Sequence, residues 1–93
     1  MSYQTFEVTG VIDEIEQEKK FSEKYSERIF VVEYESSADY KYKVALTLAN
    51  TKMGLIDSFA IGQKVTVGFN LSSREVKGNY FTKLNVWKID HAR

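Results

Sequence analysis

The sequence predicts a small all-β fold, a five-stranded barrel with one short helix between its third and fourth strands. Three observations predict it. Apolar and polar residues alternate in several separate runs, the mark of strands with one buried face. The period changes only once, across Asn50–Ala60. Glycine and clusters of small polar residues separate the runs where turns are needed. At 93 residues the whole chain, 1–93, is expected to form one domain.

The first strand is Phe6–Ile15, with Phe6, Val8, Gly10 and Ile12 on one side. A glycine in mid-strand predicts a bulge or sharp bend, as a strand needs when it serves two sides of a barrel. Glu16–Glu27 is charged and aperiodic and reads as a loop. Its Phe21 and Tyr25 are out of place in a solvated stretch, and they pack on the rim or receive a ligand. Their i, i+4 spacing also permits one helical turn.

Arg28–Glu35 is the second strand, apolar on both sides at Ile29-Phe30-Val31-Val32. After the turn Ser36-Ser37-Ala38-Asp39 comes Tyr40–Leu48, with Tyr40, Tyr42, Val44, Leu46 and Leu48 on one side. Lys41 and Lys43 share the other with Ala45 and Thr47, either as part of a surface for a phosphate backbone or as edge solvation. Asn50–Ala60 is read as a two-turn helix capped at Asn50 or Thr51, with Leu55, Ile56 and Phe59 inward. Lys64–Ile89 is a long hairpin. Val65, Val67 and Phe69 face the core from the fourth strand, and Leu84 and Val86 from the fifth. Ser72–Asn79 is a polar turn. Phe81, Lys83, Asn85, Trp87 and Ile89 fall on the opposite, solvent side of the fifth strand.

Strand, loop, strand, turn, strand, helix, strand, turn, strand is the order of an OB-fold, a Greek-key barrel. Its ligands lie across strands 2 and 3, between the loops joining strands 1–2 and 4–5. An SH3-like barrel lacks a helix of this size at this point.

Composition narrows the function. The 13 basic and 13 acidic side chains cancel. Residues 1–42 nevertheless carry five basic against ten acidic groups, and 43–93 eight against three. Such an imbalance can conceal a basic face. Catalysis is not expected. The single histidine, His91, sits at the chain's end, there is no cysteine, and the glycines are isolated. These exclude the usual nucleophile systems, zinc sets and phosphate loops, so no metal or cofactor is expected. No apolar run of about 18 residues exists to span a membrane as a helix. The N-terminus lacks the pattern of a secretory signal, and a cytoplasmic location is the expectation.

What the chain has is cations interleaved with aromatic rings, the combination that holds single-stranded nucleic acid. The candidate platforms are Phe21, Tyr25, Tyr80, Phe81 and Trp87. Candidate phosphate contacts are Lys41, Lys43, Arg74, Lys77 and Lys83. The competing reading is a protein–protein module in which exposed Phe81, Trp87 and Ile89 join subunits.

The segment GQKVTVGFNLSSREVKGNYFTKLNVWKID resembles a family of short bacterial and phage OB-fold proteins, mostly of unknown function and related to single-stranded DNA-binding proteins. The matching features are Gly62, Ser72-Ser73-Arg74-Glu75, Gly78-x-Tyr80-Phe81-Thr82 and Val86-Trp87-Lys88-Ile89. Phe6-Glu7-Val8-x-Gly10 and Lys43–Leu48 fit the same plan, whereas Glu16–Glu27 departs from the family's Gly-rich loop. The resemblance implies an OB-fold and binding of single-stranded DNA, with RNA as the open alternative. A role in bacterial or phage replication, recombination or repair follows, in a homodimer or higher homo-oligomer.

Overall fold

Alternation becomes structure along most of the chain. The computed structural model describes residues 5–37 and 40–92, with the backbone alone at 35–37. It contains β1 (Thr5–Ile15), β2 (Lys19–Ser22), β3 (Tyr25–Ser37), β4 (Tyr40–Ala49), a 3-10 helix (Asn50–Ser58), β5 (Lys64–Val76) and β6 (Asn79–His91). Strand order is β1-β5-β6-β4-β3-β2, and an added β1–β3 pairing closes a five-stranded barrel with β2 outside it. This is the expected OB-fold. Ala38 and Asp39, the tip of the expected Ser36–Asp39 turn, lie outside the described residues.

The inward faces of the strands make one core. Ile12, Phe30, Val32, Leu46, Leu48, Val65 and Val67 are fully buried, with Val86 and Ile89 beside them. Each such side chain contributes about 1.5–3 kcal/mol through burial.

Closure depends on β1 changing partners. It pairs with β5 from Thr5 to Val11 and with β3 from Val11 to Ile15. Gly10 stands at the crossing, where a Cβ would lie 2.3 Å from the carbonyl oxygen of Glu33 and 2.7 Å from Val32 Cγ1. Only glycine fits there. The bulge itself falls three residues later, where Ile12 faces Val32 but Glu14 faces Val31. On the other side, β4 and β6 meet as parallel strands at Thr47 and Asn85.

Four local expectations are corrected. The helix winds as a 3-10 helix and ends at Ser58, short of Ala60. With about three residues per turn, Met53 and Ile56 share a face that Phe59 continues. All three, with Leu55, pack on the core. Glu16–Glu27 is not all loop, because β2 folds back on the start of β3. The hairpin turn is two residues rather than eight. Lys77 and Gly78 both have positive φ, 50° and 81°, the geometry that joins twisted strands tightly. Finally, Ile89 is core rather than surface. Gly68 pairs with Lys88 but Phe69 with Val86, so Trp87 is an extra residue that reverses the alternation after it.

Candidate functional site

The two hairpin arms that leave the barrel define a cleft. One is β2 with the start of β3, and the other is the outer half of β5–β6. Between them lies a concavity of about 330 Å³, lined by Tyr25, Ser72, Ser73, Arg74, Phe81, Lys83 and Asn85. The register explains the grouping. Arg74 faces Phe81, Ser72 faces Lys83, and Asn70 faces Asn85 across β5–β6. Residues 72, 74, 81, 83 and 85 therefore share one side of the ribbon. Asn85 Nδ2 donates to Ser72 Oγ at 2.9 Å, which firms the floor. Phe81 is 57% exposed although it is large and apolar.

A polar network joins the two walls. Glu27, whose side chain is 7% exposed, accepts hydrogen bonds on one carboxylate oxygen from the Tyr25 hydroxyl and from Lys83 Nζ. Lys83 Nζ also stands 6.0 Å from the Tyr25 ring centroid. Burial alone pushes the Glu27 carboxyl up. The hydrogen bonds from Lys83 and Tyr25, with the charges of Lys83 and Lys19, outweigh this and hold it below its ordinary 4.5. The bond to Glu27 raises the Tyr25 phenol, and the same partner raises the Lys83 ammonium.

The sequence-derived candidates divide by place. Tyr25, Arg74, Phe81 and Lys83 come together in the cleft. Phe21 stands beside it, its ring 6.0 Å from that of Tyr25. The two rings meet across a hairpin rather than along a helical turn, because Phe21 is the bulged residue of β2. Lys77 and the 71%-exposed Tyr80 occupy the tip of the other arm.

Lys41, Lys43 and Trp87 are not brought in. Lys43 lies four residues along β4 from Thr47, about 13 Å of strand, and pairs with Asp13 at 3.2 Å. Hydrogen bonding to Asp13 raises its ammonium. Lys41 Nζ lies 4.0 Å from Glu33. Trp87 covers Gly68, with Lys88 Nζ 4.9 Å from its ring. The charge imbalance between halves is partly cancelled across strands. Lys43, Lys83 and Lys88 of the second half pair with Asp13, Glu27 and Glu7 of the first. Among the described residues Arg74 and Lys77 form no such pair.

Sequence reasoning missed Ser72, Ser73, Asn85 and Glu27. The serines were hidden in an expected turn, and Asn85 was legible only as an outward neighbour of Lys83. Glu27 carried no signal, since Lys83, the partner that ties it to the other wall, is 56 residues away.

In shape the chain is similar to Rim1, a mitochondrial single-stranded DNA-binding protein of S. cerevisiae, with a TM-score of 0.76, 14% identity and 100% of both chains covered. It is also similar to the second single-stranded DNA-binding protein of Mycobacterium smegmatis, with a TM-score of 0.71, 18% identity, and 97% of this chain and 89% of that one covered. The N-terminal domain of PriB from Thermoanaerobacter tencongensis, a dimeric structure, gives 0.68 at 15% identity over 96% of each chain. At these identities the likeness defines the fold alone, an OB-fold. No curated protein matches the sequence. The chain belongs to the DUF3127 family, a domain of unknown function, which matches residues 7–90.

Proposed function

We propose that this protein is a non-catalytic, sequence-tolerant binder of single-stranded DNA. The observation that carries the reading is the cleft in which Tyr25, Phe81 and Arg74 converge between the two arms. That is where an OB-fold receives oligonucleotides. Bases stack on the two rings without being read, and Arg74 and Lys77 meet phosphates. Phe21 extends the stacking surface along the β2–β3 arm, whereas Tyr80, next to Phe81, falls on the other side of the β5–β6 ribbon. Binding is therefore expected to weaken steeply with salt, as phosphate contacts release counterions. The test is fluorescence anisotropy with labelled single-stranded DNA, single-stranded RNA and duplex DNA of equal length. Tight binding of single strands over duplex supports the reading, and no binding to any of the three ends it.

A second observation favours self-association beside this activity. Phe6 and Phe69 stack at 5.8 Å, and Leu71 beside them is exposed. An exposed apolar cluster of this kind suits a second copy of the chain. Of the surface expected from Phe81, Trp87 and Ile89, Ile89 is buried in the core, while Phe81 and Trp87 remain exposed. Sedimentation of the wild type against Leu71→Lys tests it. A dimer that becomes monomeric supports the surface, and an unchanged mass rules it out.

A further inference from the structure

We propose that Glu27 is a positioning residue that sets the effective charge of the cleft: it holds Lys83 as a neutral pair and leaves Arg74 and Lys77 as the cations that meet phosphate. The inference rests on the reading of the cleft as a site for single-stranded nucleic acid.

The argument begins with the carboxylate's surroundings. Glu27 has lost nearly all its water, with its side chain 7% exposed, while that of Lys83 is 49% exposed. A buried charge needs a partner, and removing that partner strands it. An incoming phosphate therefore cannot take Lys83 for itself, as it can take a cation from an exposed, solvent-screened pair. Lys83 still has further N–H donors to offer a base or phosphate oxygen. As half of a neutral pair it releases no counterion.

The same carboxylate oxygen holds the Tyr25 hydroxyl. Glu27 thus fixes one stacking ring from the β2–β3 arm and one ammonium from β6 through a single atom. Ring and ammonium are linked before any strand arrives, so the ordering cost of bringing the two walls together is met in the fold. Arg74 and Lys77 sit farther out on the β5–β6 arm, and among the described residues neither pairs with this carboxylate. The strand is then neutralised at the outer arm and stacked at the inner wall.

The charge claim has a signature that simple structural support lacks. Affinity for a labelled thirty-residue oligo-dT is measured against salt for the wild type, Arg74→Gln, Glu27→Gln and the double variant Glu27→Gln/Lys83→Met. Arg74→Gln lowers the magnitude of the log–log slope by about 0.7, one phosphate's share. Glu27→Gln frees the ammonium and raises it by about 0.7. The double variant, with both charges gone, returns to the wild-type slope. A Glu27→Gln slope equal to wild type, with a double variant as low as Arg74→Gln, overturns the inference and makes Lys83 an ordinary phosphate contact. Carbon-13 tyrosine NMR without DNA checks the network itself. Tyr25 should titrate at higher pH in the wild type than in Glu27→Gln, and equal titration removes the link. A wild type that binds no oligonucleotide overturns the functional reading and the inference together, whereas binding with an unmoved slope overturns the inference alone.

Discussion

Among the described residues, two of the barrel's concavities are of nearly equal size, about 360 Å³ beside Gly10 and about 330 Å³ beside Tyr25. The larger is lined by Thr9, Gly10, Val11, Glu33, Tyr34, Lys41 and Lys64. It opens where β1 leaves β3 for β5, so barrel closure itself creates it. One ring borders it, and Glu33 stands 4.0 Å from Lys41. The smaller combines two rings from different arms with a cation, Arg74, that forms no ion pair among the described residues. Volume does not separate a by-product of folding from the proposed binding site. The company kept by rings and charges does.

The contrast can be broken at several points. Gly10→Ala is expected to have the largest effect, a loss of about 3 kcal/mol or more from overpacking against the Glu33 backbone. That lowers Tm by roughly 12 °C or more in a domain of this size, while the folded fraction binds oligo-dT as before. Calorimetry with anisotropy at low temperature checks both halves. Tyr25→Ala and Phe81→Ala should each weaken binding by roughly 1–3 kcal/mol, with stability little changed for Phe81. Equal affinity in either variant would take its ring out of the site.

The pH dependence sharpens the role of the smaller cleft. The folded Glu27 carboxyl titrates below 4.5, so between the two values the unfolded chain binds more protons. The stability this group supplies is complete above 4.5 and disappears as pH falls through its folded value. Urea unfolding should therefore lose stability more steeply below that pH in the wild type than in Glu27→Gln, and parallel curves would deny the network its charge. The smallest effect belongs to the larger groove. Lys41→Gln should change affinity less than about twofold, since an exposed pair such as Lys41–Glu33 is weak and outside the cleft. A tenfold loss would extend the strand's path along β4.

The barrel was legible because burial on one face writes a period of two into β1, β4 and β5. The β2 arm was not. Lys19, Lys20, Phe21 and Ser22 are exposed on both faces, and a strand wet on both sides has no period to display. The helix was visible, but its winding was hidden in the spacing of Met53, Ile56 and Phe59. Of the site, the aromatic and basic residues could be named and not assembled. Tyr25 and Phe81 meet through pairings between distant segments, and composition counts Lys41 and Arg74 alike. Only the pairing differs: Lys41 stands 4.0 Å from Glu33, whereas Arg74 forms no ion pair among the described residues.

The bulge at Trp87 has one more consequence. It lays the chain's single tryptophan on Gly68, with Lys88 against its ring, apart from the rings that would receive bases. Its emission is then a built-in gauge of whether β5 and β6 remain joined. Denaturation should redden the signal, whereas a strand stacked on Tyr25 and Phe81 should leave it nearly constant. Folding and occupancy can thus be followed as separate optical channels in one unlabelled chain, with tyrosine reporting the second.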